Sequence, residues 1–338
     1  MSKYVNIFEI VRSNPNYLFY FFIGGRGIGK TYSILKECYL NKKKILYVRG
    51  TQTELDLTVN SGLNPYKAIN RDLGINIQIE LNKNSTTIGE YVKNGEKWER
   101  VNEIGRAVAL STFSNIKGAD FSDIDIVVFD EFITKNTRTR SRTEDIDFFN
   151  LVESVIRNRE VEGEEIPVVL ISNADSYMSL ILKSLGLINV MSGMKMNGDN
   201  VYKNEERAIY LELLEAKELL ESKAKTKLYR ATKGSDFYAM AIGNDFIGAD
   251  YSDIKRVDFR EYKPQFELNS LFFYKYKNNT KIEFICSKHK SDCNCYDNQD
   301  KSYKLYLTVI MTKFYYDKKL FFTDYNTKLE FYEKMLKN

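Results

Sequence analysis

The stretch "YLFYFFIGGRGIGKTYSILKECY" (residues 17–39) joins an apolar run to a glycine-rich loop and then to a helical pattern. The apolar run is long enough for one buried strand, and the residues after the loop place apolar side chains on one helical face. Four residues fit the pattern G-x-x-x-x-G-K-[ST], namely Gly24, Gly29, Lys30 and Thr31. A strand, such a loop and a helix in this order predict a phosphate-binding loop.

The chemistry of this loop explains its residue types. Backbone N–H groups wrap the phosphates closely, and the positive end of the following helix faces the anion. Lys30 is expected to reach the β- and γ-phosphates of ATP, and the Thr31 hydroxyl is expected to bind Mg²⁺. The predicted nucleotide-binding residues are Gly24, Gly25, Arg26, Gly27, Ile28, Gly29, Lys30 and Thr31. A chance match in a turn is the alternative, and the flanking strand and helix disfavour it.

A second buried-strand pattern, "IDIVVFDE" (residues 124–131), ends in two acids. Asp130 suits a Walker B aspartate that binds Mg²⁺ through water, and Glu131 suits the orientation or deprotonation of an attacking water. About 100 residues separate Lys30 from Asp130, which leaves room for an additional strand. Together these features indicate an α/β P-loop NTPase of the additional-strand, catalytic-glutamate class. A strand that merely ends in two exposed acids is the alternative.

Other apolar runs predict a mostly parallel sheet with helices on both faces. The runs cover residues 44–50, 107–113 and 165–174, and residues 75–93 are expected to form an inserted hairpin. The run at 165–174 ends in Ser172 and Asn173. These polar residues are predicted either to sense the γ-phosphate and couple hydrolysis to movement or to cap the next helix.

Arg157 and Arg159 lie at the end of a predicted amphipathic helix. Its expected apolar face comprises Ile146, Phe149, Val152 and Val155 or Ile156. Arginines at the end of a helix are favourable to the helix dipole, which is one explanation for them. The other is an arginine finger that reaches the γ-phosphate bound by a neighbouring subunit. The residues alone leave both explanations open.

The pattern of apolar and charged residues in the sequence changes after residue 203. Residues 205–229 are charged and rich in Leu and Ala, which predicts a connecting helix, whereas residues 271–286 alternate around an Asn-Asn turn and predict a hairpin. Residues 302–311 and 318–325 are expected to be strands, and residues 326–337 a terminal helix. The predicted division is an ATPase domain (1–203), a helical linker (204–249) and a small C-terminal α+β domain (250–338).

Composition places the chain among cytosolic globular proteins. Its 338 residues are 43% hydrophobic, and their net charge of +4 is too small to indicate nucleic-acid binding by itself. No apolar run is long enough for a membrane span, and the N-terminus has no features of a signal peptide, so neither a membrane nor secretion is expected. Four cysteines in a chain of this size indicate reduced thiols.

The best local basic cluster is residues 134–144, directly after the Walker B pattern. Lysine and arginine contacts to phosphates are independent of base sequence, so this cluster is a candidate for binding double-stranded DNA. A solvated loop and a contact to a neighbouring subunit are the alternatives. The predicted DNA-binding residues of this cluster are Lys135, Arg138, Arg140 and Arg142. Lys117, in the loop before the Walker B pattern, is a second candidate for DNA or for a contact to a neighbouring subunit.

The C-terminal part contains two possible metal sites, and the sequence favours neither. Zinc ligands could be Cys286, His289, Cys293 and Cys295, but their spacing is not that of a standard finger, so zinc is not expected. A two-metal nuclease would need several converging acids. The acids of this part are scattered: Asp245, Asp250, Asp253, Glu283, Asp317 and Asp324.

Six motifs in order resemble the DNA-packaging ATPases of small phi29-like tailed phages. They are "FFIGGRGIGKTY", "ILYVR", "IVVFDEFI", "VIRNRE", "LISNA" and "NDFIGAD". An arginine at the position of Arg26 is usual in that family. The resemblance covers nearly the whole ATPase region and reaches the linker, and beyond about residue 250 it is limited to overall layout.

The resemblance implies a homo-oligomeric ring, a pentamer, that hydrolyses ATP and pumps double-stranded DNA into a preformed capsid. The ring would act in the host cytoplasm, at the portal vertex of the capsid. By position, Lys30 and Thr31 hold nucleotide and metal, Asp130 holds metal, Glu131 is the base, and Arg157 is the finger. The C-terminal domain would resemble a degenerate RNase H-like nuclease fold. Some relatives use a structural RNA between ATPase and portal, and the sequence leaves that partner open.

Two other functions remain as alternatives at this point. A kinase would pass the γ-phosphate to an acceptor and would leave Glu131 without a role. A nucleotide-dependent DNA-binding or assembly protein would turn over little ATP, and Glu131 argues against it.

Overall fold

The structure is a computed structural model that describes residues 4–59, 63–81, 86–116, 119–133, 141, 143–174, 179–243, 252–278, 281–296 and 301–336. The chain divides into two compact units. The first comprises residues 1–185 and 194–249, and the second comprises residues 186–193 and 250–338.

A nine-stranded sheet forms the centre of the first unit. Its strands are β1 (Phe19–Gly24), β2 (Ile45–Arg49), β3 (Ile77–Leu81), β4 (Thr86–Asn94), β5 (Lys97–Ala109), β6 (Ile126–Asp130), β7 (Val168–Asn173), β8 (Val201–Asn204) and β9 (Ile209–Leu214). Their spatial order is β3-β4-β5-β2-β6-β7-β1-β9-β8. The pairs from β5 to β9 are parallel, and only the outer pairs β3-β4, β4-β5 and β8-β9 are antiparallel.

The chain up to residue 243 also forms helices, among which residues 187–193 belong to the second unit. The helices are α1 (Ile7–Arg12), α2 (Lys30–Leu40), α3 (Gln52–Val59), α4 (Lys67–Leu73), α5 (Glu144–Ile156), α6 (Leu180–Ser184), α7 (Leu187–Asn197), α8 (Lys217–Ala224), α9 (Lys227–Ala231) and α10 (Asp236–Gly243), with a 3-10 helix at Leu110–Ile116. None of the helices in the described part of the chain has the length and apolarity needed to cross a membrane.

Helices pack on both faces of the sheet, as predicted. Side chains of a strand alternate between its faces, so Phe19 and Phe22 of β1 point in opposite directions. The Phe19 ring lies 6.0 Å from the ring of Phe148 in α5. Phe22 belongs instead to the buried cluster that contains Ile34 and Leu35 of α2. The parallel strands are therefore buried on both sides, which explains their near-continuous apolar sequences.

Several predicted elements of the first unit are confirmed, and two need correction. The hairpin expected at 75–93 is β3 and β4, and the strand expected at 107–113 ends at Ala109, where the 3-10 helix begins. The apolar face predicted for α5 is confirmed at Val152 and Val155 and wrong at Ile146, which is 56% exposed; Phe148 and Leu151 belong to the buried face instead.

The connecting helix predicted for residues 205–229 is wrong for its first half. Residues 209–214 form strand β9, which pairs with the P-loop strand β1. Only Glu212 interrupts its buried apolar side chains, and the Tyr210 hydroxyl donates a hydrogen bond of 2.6 Å to that carboxylate. Burial in the sheet therefore overrides the helical propensity of Leu and Glu. The helices begin only at Lys217.

The second unit has a five-stranded sheet with helices. Its strands are β10 (Tyr262–Leu268), β11 (Leu271–Tyr276), β12 (Phe284–Ser287), β13 (Asn294–Cys295) and β14 (Leu320–Phe322), in the order β13-β10-β11-β12-β14. Its other elements are a 3-10 helix (Phe259–Glu261), α11 (Lys301–Tyr316), α12 (Tyr325–Phe331) and a π-helical turn (Tyr332–Leu336). The predicted hairpin at 271–286 is the antiparallel pair β11-β12, and the terminal helix is α12.

The strand predicted for residues 302–311 is wrong, because these residues lie in helix α11. Leu307, Met311 and Tyr315 recur every fourth residue and face the core of this unit. The same sequence also alternates tyrosine and leucine with polar residues near its start, so it fits both periods. Packing against the sheet decides in favour of the helix.

Candidate functional site

The loop after β1 has the backbone that its glycines allow. Gly27 and Gly29 have φ values of 68° and 90°, which are in the left-handed region that favours glycine. Gly24 is instead restricted by space. A Cβ atom added there would lie 2.8 Å from Ile28 Cδ1 and 2.9 Å from Leu214 Cβ. Helix α2 then begins at Lys30, with Gly29 as its N-cap.

The Lys30 side chain is buried under this loop. Its Nζ donates hydrogen bonds to the carbonyl oxygens of Gly24 at 2.9 Å and Gly25 at 2.8 Å, and to Oδ1 of Asn173 at 3.0 Å. Asn173 is the last residue of β7, the strand beside β1. An ammonium group that is held by neutral oxygens at this position is able to exchange them for a phosphate oxygen.

Asp130 ends β6 in a buried, hydrogen-bonded position. The Thr31 hydroxyl donates to its two carboxylate oxygens at 3.1 and 3.2 Å, and the Tyr47 hydroxyl donates to Oδ2 at 2.9 Å. Burial raises the pKa of Asp130, and the neighbouring Glu131 raises it further, while Arg49 opposes the shift. A divalent cation beside this carboxylate would favour its ionised form.

Arg49 is a site residue that the sequence interpretation missed. It ends β2, the strand next to β6, and its Nη2 lies 2.7 Å from Oε2 of Glu131. Its Nη1 lies 3.5 Å from Oδ2 of Asp130 and its Nε lies 3.9 Å from Oε2 of Glu54. Burial lowers the pKa of Arg49, but the neighbouring Tyr47 and acids outweigh burial and raise the pKa overall. The available signal was a charged residue at the end of a strand beside the Walker B strand.

Glu131 directly follows β6 and turns the chain. Its φ of 55° is unusual for a residue with a side chain, and its N–H donates to the carbonyl oxygen of Ile171 at 2.8 Å. The side chain is 54% exposed, at the edge of a cavity of about 210 Å³. The residues that line this cavity are Gly27, Gly29, Lys30, Thr31, Tyr32, Asp130, Glu131, Ser172 and Asn173.

Ser172 and Asn173 have different surroundings. The buried Ser172 hydroxyl lies 3.3 Å from both the backbone N and the O of Ile133, so it connects β7 to the segment after β6. Asn173 contacts Lys30 instead. Neither caps the next described helix, because Ser179 is the N-cap of α6.

Arg157 and Arg159 do not lie in the cavity of their own chain. Arg157 is exposed, and its Nη2 donates to the carbonyl oxygen of Ala119 at 3.2 Å. Arg159 binds Glu164 at 2.7 Å and the carbonyl oxygen of Ile124 at 2.7 Å. Ala119 and Ile124 precede β6, so both arginines lie near its amino end, whereas the cavity lies at its carboxyl end.

The structure does not describe the predicted DNA-binding residues. Lys117, Lys135, Arg138, Arg140 and Arg142 lie outside the described residues. Arg26 is described, and its side chain is exposed on the P-loop.

The cysteines and the histidine of the second unit have different surroundings. Cys286 is buried in β12, Cys295 is exposed, and the His289 ring stacks on Phe259 at 4.4 Å. Across the ranges that the structure describes, no three residues among His, Cys, Asp and Glu form a group that could hold a metal.

Two of the described acids that a nuclease would need form close ion pairs. Asp253 pairs with Lys328 at 2.7 Å, and Glu283 pairs with both Lys255 and Lys281 at 2.9 Å. Asp324 is the N-cap of α12. Asp245 and Asp250 lie outside the described residues.

Solved structures with a similar fold come from phage packaging motors. The bacteriophage phi29 viral genome packaging motor assembly matches with a TM-score of 0.64 and 17% identity, over 99% of this chain and 100% of that chain. The phi-28 gp11 DNA packaging motor matches with a TM-score of 0.58 and 16% identity, over 100% of this chain and 99% of that chain. At these identities the likeness shows a shared fold.

Sequence comparisons lead to the same group of proteins. The DNA packaging protein of Bacillus phage phi29 is 25% identical over 235 residues, which cover 68% of this chain and 62% of that protein. The DNA packaging protein of Bacillus phage B103 is 23% identical over 240 residues, 67% of this chain and 64% of that protein. The chain thus matches less than two thirds of the length of these relatives. The profile of the podovirus DNA encapsidation protein (Gp16) matches residues 1–326, and the chain therefore belongs to that family.

Proposed function

We propose that this protein is the ATP-hydrolysing motor that drives double-stranded viral DNA through the portal into a preformed capsid. The observation that carries the proposal is the cavity formed where strands β1, β6 and β7 end. It brings together Lys30, Thr31, Asp130, Glu131 and Asn173, which are the groups that ATP hydrolysis needs.

The strand order supports assignment to the additional-strand, catalytic-glutamate class. Strand β7 lies between the P-loop strand β1 and the Walker B strand β6, so an additional strand separates the two motifs. Open parallel sheets bind ligands at the carboxyl ends of their strands, which is where this cavity lies.

The cavity residues fit Mg²⁺ and ATP. Lys30 would exchange its carbonyl contacts for phosphate oxygens, while the N–H groups of the glycine loop and of helix α2 face the same anion. Thr31 would bind the metal directly and Asp130 through water, because their oxygens already lie 3.1 Å apart. The metal would neutralise charge that develops on the transferred phosphoryl group.

Glu131 would serve as the base that activates water. Its exposed carboxylate lies at the edge of the cavity and is oriented by the buried guanidinium of Arg49. Asn173, on the adjacent strand, would sense the γ-phosphate. A phosphate that attracts the Lys30 ammonium group would break the hydrogen bond between Lys30 and Asn173. Ser172 would pass that change to the segment after β6.

Arg157 would act on the nucleotide of a neighbouring subunit. Its guanidinium is exposed and lies near the edge of the sheet opposite its own cavity, so a second copy is needed to complete the site. A closed ring of identical subunits supplies that contact at each interface, and we propose a pentamer. Family membership supports this assembly.

Our proposals for the DNA contact, the portal and the cellular location are supported by the family and not by the cavity. We propose that the basic segment with Lys135, Arg138, Arg140 and Arg142, together with Lys117, contacts the DNA backbone. The ring would work in the host cytoplasm on the portal, with a structural RNA as a further candidate partner. We retain the division into an ATPase domain (1–203), a linker (204–249) and an RNase H-like C-terminal domain (250–338) as a proposal, with β9 added to the ATPase sheet.

The test is ATP turnover by the full chain with and without double-stranded DNA, with products resolved. We expect inorganic phosphate as the product, stimulation by DNA, and a 10²- to 10⁴-fold loss of turnover in Glu131→Gln, which is the usual range for a general base (about 10²–10⁴). Glu96→Gln, an exposed acid far along the chain from the site, is the matched control. Transfer of phosphate to an acceptor would establish a kinase instead, and unchanged turnover in Glu131→Gln would remove Glu131 from the mechanism.

A further inference from the structure

The segment that follows β9 covers the P-loop closely within the first unit. A Cβ atom added at Gly25 would lie 2.8 Å from the carbonyl oxygen of Ala241 and 3.4 Å from Cδ2 of Leu220. Leu220 belongs to α8 and Ala241 to α10. The absence of a side chain at Gly25 therefore permits the close approach of these helices, in addition to any approach of phosphate.

One charged side chain from this segment reaches the loop itself. The Nζ of Lys223, in α8, donates a hydrogen bond to the carbonyl oxygen of Arg26. It would lie 2.8 Å from a Cβ atom at Gly27, and it lies 5.7 Å from the centre of the Tyr229 ring. Tyr229 is itself buried and stacks on Phe237 at 5.9 Å. In the described part of the chain Lys223 forms no ion pair, and burial lowers its pKa.

The contact fixes the orientation of one peptide unit of the loop. The carbonyl and the N–H of a trans peptide point in opposite directions. A carbonyl of Arg26 that faces Lys223 therefore directs the N–H of Gly27 away from Lys223. Gly27 lines the cavity that holds Lys30 and Thr31, whereas Lys223 is not among the residues that line it.

We infer that Lys223 is a positioning residue that couples nucleotide occupancy of the P-loop to the docking of helices α8 and α9. It acts through the Arg26–Gly27 peptide, and the inference rests on the proposed binding of ATP at this loop. Coupling of this kind is reciprocal. Bound phosphate favours a Gly27 N–H that points into the cavity, and the carbonyl of Arg26 in the same peptide then points towards Lys223. Bound nucleotide therefore strengthens the docking of α8 and α9, and their docking strengthens nucleotide binding.

The test compares three variants of the full chain: Lys223→Met, Lys223→Arg and Lys225→Met. Lys225 is the matched control because it is exposed and lies only two residues away, at the end of the same helix. Two quantities are measured, the Kd for Mg-ATP by calorimetry and the change in hydrogen exchange of residues 217–231 when Mg-ATP is added. Circular dichroism without nucleotide verifies that each variant is folded.

We expect Lys223→Met to weaken Mg-ATP binding about tenfold, since a hydrogen bond from a charged group is lost. It should also remove the protection of residues 217–231 that Mg-ATP induces in the wild type, while Lys223→Arg restores both and Lys225→Met matches the wild type. Equal behaviour of Lys223→Met and Lys225→Met, or weaker binding with the induced protection intact, overturns the inference alone. Failure of the wild type to bind Mg-ATP overturns the proposed function as well.

Discussion

Glu131 combines a proposed catalytic role with an unfavourable backbone conformation. Its φ of 55° lies in the left-handed region, which costs a residue with a Cβ atom about 1–2 kcal/mol. Glu131→Gly and Glu131→Ala both remove the carboxylate and its ion pair with Arg49, and they differ in this strain and in the entropy of the unfolded chain. We predict that the Gly variant is more stable than the Ala variant by about 1 kcal/mol, although glycine ordinarily costs chain entropy. Urea unfolding of both variants measures the difference, and a more stable Ala variant would refute the strain.

Arg49 is predicted to control the geometry of both acids. Arg49→Ala removes the cation between Asp130 and Glu131, so the two carboxylates repel and Glu131 loses its orientation. A catalytic group displaced by about 1 Å costs on the order of 10²-fold in rate, and we expect kcat to fall by about that factor. Steady-state kinetics measures the fall, with Arg71→Ala as the control because Arg71 is 77% exposed. A variant with normal kcat would show that Arg49 is only a structural partner.

For individual residues, the spacing of motifs along the chain predicted part of the cavity. Lys30, Thr31 and Asp130 meet there because a P-loop motif and a strand-terminal acid have short-range signatures. Arg49 and Lys223 were missed because their contacts cross between strands or between distant segments, and no spacing along the chain encodes them. Arg157 stays a prediction, since its proposed target lies on another copy.

Strand β9 and helix α11 show how far element types could be predicted. Both segments have sequences that fit two periodicities, and in each case burial decides the outcome. Residues 209–214 carry helix-forming Leu and Glu but fill a position beside β1, whereas α11 contains β-branched and aromatic residues but packs Leu307 and Met311 into a core. The sheet order was not predictable, because it depends on long-range pairing.

Glu283, directly before β12, is predicted to give the second unit a pH-dependent stability. Burial alone would raise its pKa, but hydrogen bonds from Tyr262, Lys255 and Lys281 outweigh burial and lower the pKa to about 2. A depressed pKa stabilises the fold at pH values above the unfolded value of 4.5, and the stabilisation is lost as the pH falls towards 2. Because each pKa unit corresponds to about 1.4 kcal/mol, and the exposure of Lys281 weakens its share, we expect about 2 kcal/mol at pH 7.

The measurement is thermal unfolding by circular dichroism at pH 7, 4.5 and 3, for the wild type and Glu283→Gln. The variant should be less stable at pH 7, and the gap should shrink as the pH falls below 4.5. The exposed Glu261 provides the control Glu261→Gln. A gap that is constant with pH would mean that the charge of Glu283 contributes nothing.

The whole assembly is predicted to share its active sites between subunits. Arg157→Ala should leave the Kd for Mg-ATP unchanged and lower kcat by roughly 10³-fold or more, as expected for a lost arginine finger. Because the finger comes from a second copy, the turnover per subunit of the wild type should rise with protein concentration. Arg12→Ala is the control, since the Arg12 side chain is 68% exposed. Full activity in Arg157→Ala, or turnover independent of concentration, would place catalysis within one subunit.

We propose that ATP hydrolysis at this cavity moves DNA. The most direct measurement incubates the protein with empty capsids that carry their portal, double-stranded DNA and ATP, and then quantifies the DNA that becomes protected from nuclease. We predict protection with the wild type and ATP, and none with Glu131→Gln. Hydrolysis by the wild type without any protected DNA, or equal protection with Glu131→Gln, would show that ATP hydrolysis at this cavity does not drive packaging.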